Sequence, residues 1–340
     1  MKRKLLLSLS LLVGLGVSAQ NTLGEIFDAA KDRISITGYG QVGYSYRHQN
    51  GGDNSNTFDL KRANITIDAR ITDRWTATLT PEFDGGKVLE LYTDFTVLPS
   101  LKFKAGQFKT PFSLENKISS SKIELIDGGS SAMNYYIGNT DPKYKPGSGG
   151  RDLGFMMYGN LLYGFVTYEL AVMNGRGIGI KDNNNAKDAV GRLTLNGGDN
   201  LKLSGSFIIG RGQALDIDDY SPEGIKVGDN YKRNRWSIGA EYKSNLFDLL
   251  FEYLAAKDNH TKSNGAYITG LYHICPKIDL VGSVDYFNQN KDMSDKAWNF
   301  VAGVQYWFYK KCRIQAQYVY EDSHIRANNS AILCQLQVGF

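Results

Sequence analysis

From Ile34 onward, apolar and polar residues alternate in short runs. A period of two marks strands with one buried face. Ile34, Ile36, Gly38, Gly40, Val42, Tyr44 and Tyr46 share one face, and Ser35, Thr37, Tyr39, Gln41, Gly43, Ser45 and Arg47 the other. The next strand sets Ala63, Ile65, Ile67 and Ala69 against Arg62, Asn64, Thr66, Asp68 and Arg70. A tight turn at Thr72-Asp73 leads to Trp75, Ala77 and Leu79 against Thr76, Thr78 and Thr80. A fourth strand carries Leu89, Leu91, Phe95 and Val97 on one face, and a fifth runs from Leu101 to Ala105 with Lys102 and Lys104 at the same parity. After one interruption the alternation resumes at Leu153 and recurs in pairs. These include Trp236 to Tyr242 with Phe247 to Ala255, and Ala266 to Ile274 with Ile278 to Phe287. Ile332 to Phe340 closes the chain. The pattern predicts about sixteen strands, each of roughly the length that crosses a bilayer when tilted.

The connections alternate as well. Odd-numbered ones are mostly long and polar, such as Met173 to Lys187 and Arg211 to Asn230, while even-numbered ones are tight turns. Outer-membrane barrels combine short periplasmic turns with longer external loops. A soluble sandwich or propeller has no need of that asymmetry. No stretch after the first twenty residues is apolar enough for a transmembrane helix, and only helices and closed barrels satisfy the backbone in lipid. The fold class predicted is therefore all-β: a transmembrane antiparallel barrel over residues 34–340, set in outer-membrane lipid, with both termini in the periplasm.

The interruption falls at residues 107–150. Some forty residues rich in Ser, Gly, Asn and Lys separate Lys104-Ala105 from Arg151-Asp152-Leu153, a length uncommon for a connection. We read it as a loop folded into the mouth of the barrel, where it narrows a pore. Met1-Lys2-Arg3-Lys4, the apolar run from Leu5 to Val17 and the small residues Val17-Ser18-Ala19 spell a secretory signal peptide over 1–19, cleaved after Ala19. Leu23, Ile26, Phe27 and Ala30 suggest a short helix in a periplasmic or lumenal segment, 20–33. The protein is thus expected to be exported to the bacterial outer membrane.

Composition fits this reading. Tyr numbers 21 and Phe 16 against only 7 Pro, as suits many paired strands with aromatic residues at the membrane interfaces. The net charge of +4 suggests no nucleic-acid partner. Cys275, Cys312 and Cys334 make an odd count and no disulfide framework; a bridge between Cys275 and Cys312, on separate hairpins of one rim, is open but not favoured. No spacing supports a metal or a cofactor. Gly38-Tyr39-Gly40-Gln41-Val42-Gly43 spells GxGxxG, but inside a strand rather than between a strand and a helix. Asp216, Asp218 and Asp219 read as a solvated acidic loop. No nucleophile-and-base motif stands out, so no enzyme is predicted.

Gly106-Gln107-Phe108-Lys109, Pro111-Phe112-Ser113-Leu114-Glu115 and Arg151-Asp152-Leu153-Gly154 resemble the phosphate-selective porin O and P family, with Asn174-Gly175 and Gly191-Arg192 fitting further on. The resemblance implies a sixteen-stranded, trimeric outer-membrane porin. Selective members line their channel with an arginine ladder and a central lysine cluster. The insert here has lysines but no arginine before Arg151, which puts strict phosphate selectivity in doubt. The function expected is passive diffusion of small polar or anionic solutes, phosphate among the candidates. A lipase-like barrel enzyme or a structural, adhesin-like barrel stands as the alternative. Pore-lining candidates are Arg62, Arg70, Lys102, Lys104, Lys109, Lys122 and Arg151. By parity, cations cluster near the base of the insert and carboxylates on the later strands, which predicts a field across the pore. A last strand ending in Phe340 resembles the signal read by the barrel assembly machinery.

Overall fold

The computed structural model describes residues 32–340 apart from 145–146, 183, 220, 222–223 and 325–327. The expected signal peptide, and the 20–33 segment up to residue 31, lie outside the described residues. The sixteen strands are β1 (Ile34–Gln49), β2 (Ser55–Thr72), β3 (Trp75–Glu82), β4 (Lys87–Leu98), β5 (Leu101–Lys109), β6 (Arg151–Leu161), β7 (Val166–Met173) and β8 (Asp188–Gly197) in the first half. The second half holds β9 (Leu201–Gln213), β10 (Asn230–Lys243), β11 (Phe247–Asp258), β12 (Thr261–Cys275), β13 (Ile278–Asn290), β14 (Asp295–Tyr309), β15 (Cys312–Ser323) and β16 (Asn329–Gly339). Each pairs antiparallel with its sequence neighbours, and β1 pairs with β16, so the sheet closes without an edge.

Closure abolishes the unpaired N–H and C=O groups that lipid could not satisfy. At the seam, the Phe340 N–H donates to the Gly38 carbonyl at 3.0 Å, and Lys311 Nζ donates to the Phe340 carbonyl at 3.1 Å. The Phe340 ring covers Gly38 so closely that a Cβ there would sit 2.8 Å from it. Outward faces carry the apolar members of each alternation. Trp75, Phe95, Tyr272, Tyr306 and Phe308 are exposed toward the short turns, and Phe58, Trp236, Trp298 and Tyr320 toward the long connections. Two aromatic girdles at these levels match the two membrane interfaces.

The period of two under-reads the strands in three places, each for a local reason. A bulge opposite Gln41 and Val42 leaves Lys61 unpaired and flips the parity of β2, so Phe58 and Leu60 face out and the strand begins at Ser55. A second bulge, opposite Thr80 and Pro81, turns Leu89 inward, away from the outward Leu91 with which simple parity grouped it. β11 and β12 run on to a tight turn at Asn259-His260, because polar residues on both faces hide the alternation above the bilayer. That external connection is short where the spacing predicted a long one.

The insert between β5 and β6 contains two short helices, α1 (Leu114–Lys117) and α2 (Ser131–Tyr136). Phe112, Met133, Tyr135, Tyr136 and Ile137 of the insert pack with inward-facing Met156, Met173, Val190, Ile208, Leu254 and Tyr267. The hydrophobic core of this protein therefore lies inside the lumen, between the insert and one side of the wall.

Candidate functional site

The insert is held inside the barrel by polar contacts, most of them buried, reaching right round the wall. Glu252 on β11 accepts from Ser113 Oγ at 2.6 Å and from the Leu114 N–H at 3.0 Å. Asp285 on β13 accepts from the N–H and hydroxyl of Ser131 at 2.8 and 2.5 Å. Arg313 on β15 pairs with Glu124 at 2.9 Å and donates to the Ile123 carbonyl at 2.7 Å. Arg47 on β1 reaches Asp127 at 2.8 Å, and Lys117 reaches Glu169 on β7 at 2.8 Å.

The tightest knot joins Arg235 on β10 and Lys143 of the insert to two carboxylates. Arg235 lies 3.1 Å from both Asp141 and Asp258, and Lys143 lies 2.8 Å from Asp141. All four side chains are almost fully buried. Burial alone would lower the pKa of the Lys143 ammonium, but the neighbouring Asp141 and Asp258 carboxylates outweigh it and hold it well above the usual value.

These contacts change the picture of the wall. Asp152, Glu169, Asp188, Glu252, Asp258, Asp279 and Asp285 do face inward, yet all are buried. Most are consumed by the insert or by neighbouring cations. Much of the acidic half of the wall is thus turned toward the insert and away from the open lumen.

Two of the chambers left in the lumen among the described residues are roomy, and Glu115 and Ile123 border both. The first, about 310 Å³, lies on the side of the long connections. Arg62, Lys87, Lys109 and Arg151 line it together with Glu82 and Glu115. Arg151 pairs with Glu90 at 3.0 Å. Arg62 donates to Gln41 Oε1 at 2.8 Å and Lys109 to the Ile118 carbonyl at 2.5 Å. Among the described residues neither Arg62 nor Lys109 has a carboxylate within ion-pair distance. Arg62 is therefore a cation facing this space without an ion-pair partner, and Lys109, whose pKa burial and Arg151 lower to about 7, becomes a second one as pH falls through that value; charges in such low-dielectric surroundings act over the whole chamber.

The motifs around the insert explain how these side chains are placed. Gly106 has φ +128°, and any Cβ there would strike the backbone of Leu91 and Tyr92. Gln107, beside it, donates to the Val88 and Leu89 carbonyls at 2.6 and 2.9 Å and accepts from the Gly179 N–H at 2.6 Å. That amide ties the Leu89 bulge to the β7–β8 connection. Phe108 then enters the lumenal core, and Lys109 follows at the rim of the chamber. Asp152 grips the β7–β8 connection by accepting from the N–H groups of Gly175 and Gly177.

Of the seven candidates, the first chamber gathers Arg62, Lys109 and Arg151. The other four lie elsewhere. Arg70 sits at the short-turn mouth, where Nη2 donates to the Asp32 carbonyl at 2.9 Å. Lys102 and Lys104 face inward nearer that mouth; Lys104 is 3.4 Å from Asp94 and 3.7 Å from the centre of the Tyr92 ring. Lys122 is exposed on the insert and borders the second chamber. Parity reasoning missed Lys87, because the bulge at Leu89 hides the true start of β4. The described residues hold no cluster able to bind a metal ion, and their three cysteines are free thiols.

Glu115 adds a titratable charge. Burial raises its pKa to about 7, with Glu252 and Asp285 pushing the same way and two hydrogen bonds from Ser130 opposing. As pH falls through that value, one negative charge leaves the boundary of the first chamber. Anion preference should therefore rise toward acid and weaken toward alkali. Burial and the neighbouring Arg151 also lower the pKa of Lys109, on the same chamber, to about 7, so reversal potentials across this range should show a step in the unaltered protein and a smaller step of the same sign in Glu115→Gln.

Comparison with known proteins agrees with this architecture. No curated protein sequence matches the chain. Among solved structures, an anion-selective porin from Comamonas acidovorans superposes with a TM-score of 0.67 at 12% identity, covering 90% of this chain and 99% of that one. OmpT, an outer membrane protein of Vibrio cholerae solved in a trimer form, gives 0.63 at 15% identity, covering 90% and 100%. The outer membrane channel DcaP of Acinetobacter baumannii gives 0.62 at 10% identity, covering 90% and 97%. At such identities the likeness is one of fold. In sequence, residues 36–163, from β1 through the insert to β6, match the model of the phosphate-selective porin O and P family, and they sit within a closed sixteen-stranded barrel of the porin fold.

Proposed function

We propose that this chain is an outer-membrane porin, a water-filled channel for passive diffusion of small polar solutes with a mild preference for anions. The observation that carries the preference is the pair Arg62 and Lys109 on the first chamber, neither in an ion pair and Lys109 charging as pH falls through about 7, while much of the acidic wall faces the insert. Exposed charges are screened over about 8 Å in physiological salt. In a chamber of comparable width with low-dielectric walls, the excess survives in part and concentrates anions. Strict phosphate selectivity is not proposed, since only Arg62 and Arg151 bring guanidinium groups to the chamber. Reversal potential in a salt gradient tests the reading: a bias toward anions supports it, and a bias toward cations in the unaltered protein would sink it.

The family match and the fold point to a channel and not an enzyme. The export signal, an assembly-machinery contact through Phe340 and a homotrimer belong to the same reading. The trimer draws on the flat outward surface of β1 to β3, where Gly40, Ala63, Ala69 and Ala77 are all small. Small residues let backbones approach in lipid, where no hydrophobic drive separates subunit from tail. A side chain at Gly40 would meet nothing within 4 Å, so Gly40→Trp should leave the barrel folded and weaken the oligomer. Mass measurement in mild detergent decides it: a monomeric native protein rules the trimer out.

A further inference from the structure

The second chamber, about 340 Å³, is out of character for a watery lumen. Its insert side presents Ile118, Ile123 and Leu125, and its wall side presents Leu250, Leu271 and Trp307. All six side chains are partly exposed, so packing against the wall does not use them up. Lumen-facing positions of such barrels are ordinarily polar, and Thr269 and Gln305, on the strands that carry Leu271 and Trp307, keep to that rule. The Trp307 ring is also held in place. Its Nε1 donates to Asp279 Oδ2 at 3.0 Å, and the Arg313 guanidinium lies 5.0 Å from the ring centre. A fixed aromatic ring among aliphatic side chains, in a space of this volume, has the make-up of a small-molecule pocket.

Charge at the border narrows the class of molecule. Glu124 is paired with Arg313 at 2.9 Å, and Glu241 with Lys202 and Lys243 at 2.7 and 2.8 Å. Asp248 lies 3.4 Å from the His273 ring. Glu115 accepts from the N–H and hydroxyl of Ser130. Lys122 differs: it is exposed at the border, and among the described residues no carboxylate lies within ion-pair distance of it. One free ammonium beside apolar surface complements a single negative charge on an apolar body. We propose that the second chamber binds an amphiphilic monoanion, its carboxylate at the Lys122 ammonium and its apolar chain against Ile123, Leu250 and Trp307. The long stem of Lys122 lets the ammonium stay in water at the border while the chain lies deeper. Glu115 and Ile123 border both chambers, so a solute leaving the cationic first chamber meets this apolar surface next. Access to the site rests on the channel reading; binding at it does not.

Protection from labelling tests the binding without asking for current. In a full chain with Cys275, Cys312 and Cys334 each replaced by Ala, Leu125→Cys is treated with a water-soluble maleimide in acetate, hexanoate or octanoate at neutral pH. The expected result is protection that strengthens with chain length, the half-protecting concentration falling by about fourfold per added CH2. Adding Lys122→Gln should raise that concentration for octanoate by up to about fivefold and leave it unchanged for neutral octanamide. Lys87→Cys, on the first chamber, should show no dependence on chain length. Equal protection by acetate and octanoate, no protection at all, or a Leu125→Cys that is unreactive with no carboxylate present overturns the proposal. A second measurement needs no cysteine. Trp75, Trp236 and Trp298 are exposed on the outer face, so octanoate should shift the tryptophan emission of the unaltered protein and not that of Trp307→Phe. Equal shifts in the two overturn the proposal as well. A barrel that conducts without protecting Leu125→Cys sinks the site alone, and one that protects it but never conducts sinks the porin reading alone.

Discussion

Reversing two charges, Arg62→Glu with Lys109→Glu, will turn the channel from anion-preferring to cation-preferring. Both side chains border the first chamber and neither is paired with a carboxylate among the described residues. The change swaps two positive charges for two negative ones beside Glu82 and Glu115. Unit charges 4 Å apart interact by about 4 kcal/mol at the effective dielectric of a protein surface. A fraction of that exceeds thermal energy, so the reversal potential should change sign and not merely shrink. The same exchange at Lys102 and Lys104 should do less, because Lys104 is already balanced by Asp94 and lies nearer the short-turn mouth, away from the first chamber.

Arg235→Met will loosen the insert before it unfolds the barrel. The substitution leaves Asp141 and Asp258 buried with only Lys143 between them. It also removes the donor to the Tyr136 carbonyl at the end of α2. Removing one partner of a buried ion pair costs about 3–5 kcal/mol. The backbone ladder is untouched, and of these contacts only Arg235–Asp258 lies within the wall, between β10 and β11, so most of the cost falls on the insert. Single-channel traces should become larger and noisier, and the insert should be cut by protease where the unaltered protein resists. A quiet trace of unchanged size would show that the insert is not held by this knot.

Much of the fold is legible in the alternation of apolar and polar residues, because each strand that crosses lipid must keep one face apolar. Legibility fails where that constraint lapses. Above the bilayer, β11 and β12 are polar on both faces, and no period marks their ends. At the bulges of Lys61 and Leu89 one extra residue reverses parity, which a strict period of two cannot register. The site is less legible than the fold. Parity identifies Arg62 as inward, and the motif after Gly106 places Lys109 at the insert. It also gives Asp188, Glu252 and Asp285 as inward, but whether an inward charge meets water or the insert depends on contacts across the lumen. Ser113 meets Glu252 across 139 residues of sequence, and Arg313 meets Glu124 across 189. No local pattern signals such pairs. The long insert was visible as an interruption; which wall charges it would cover was not.

The central claim is an open pore narrowed by its own insert, and planar bilayer recording tests it most directly. Purified protein should insert in discrete steps of ohmic conductance, each step biased toward anions in a salt gradient. A protein that enters the bilayer as a folded barrel and never carries current would contradict the account.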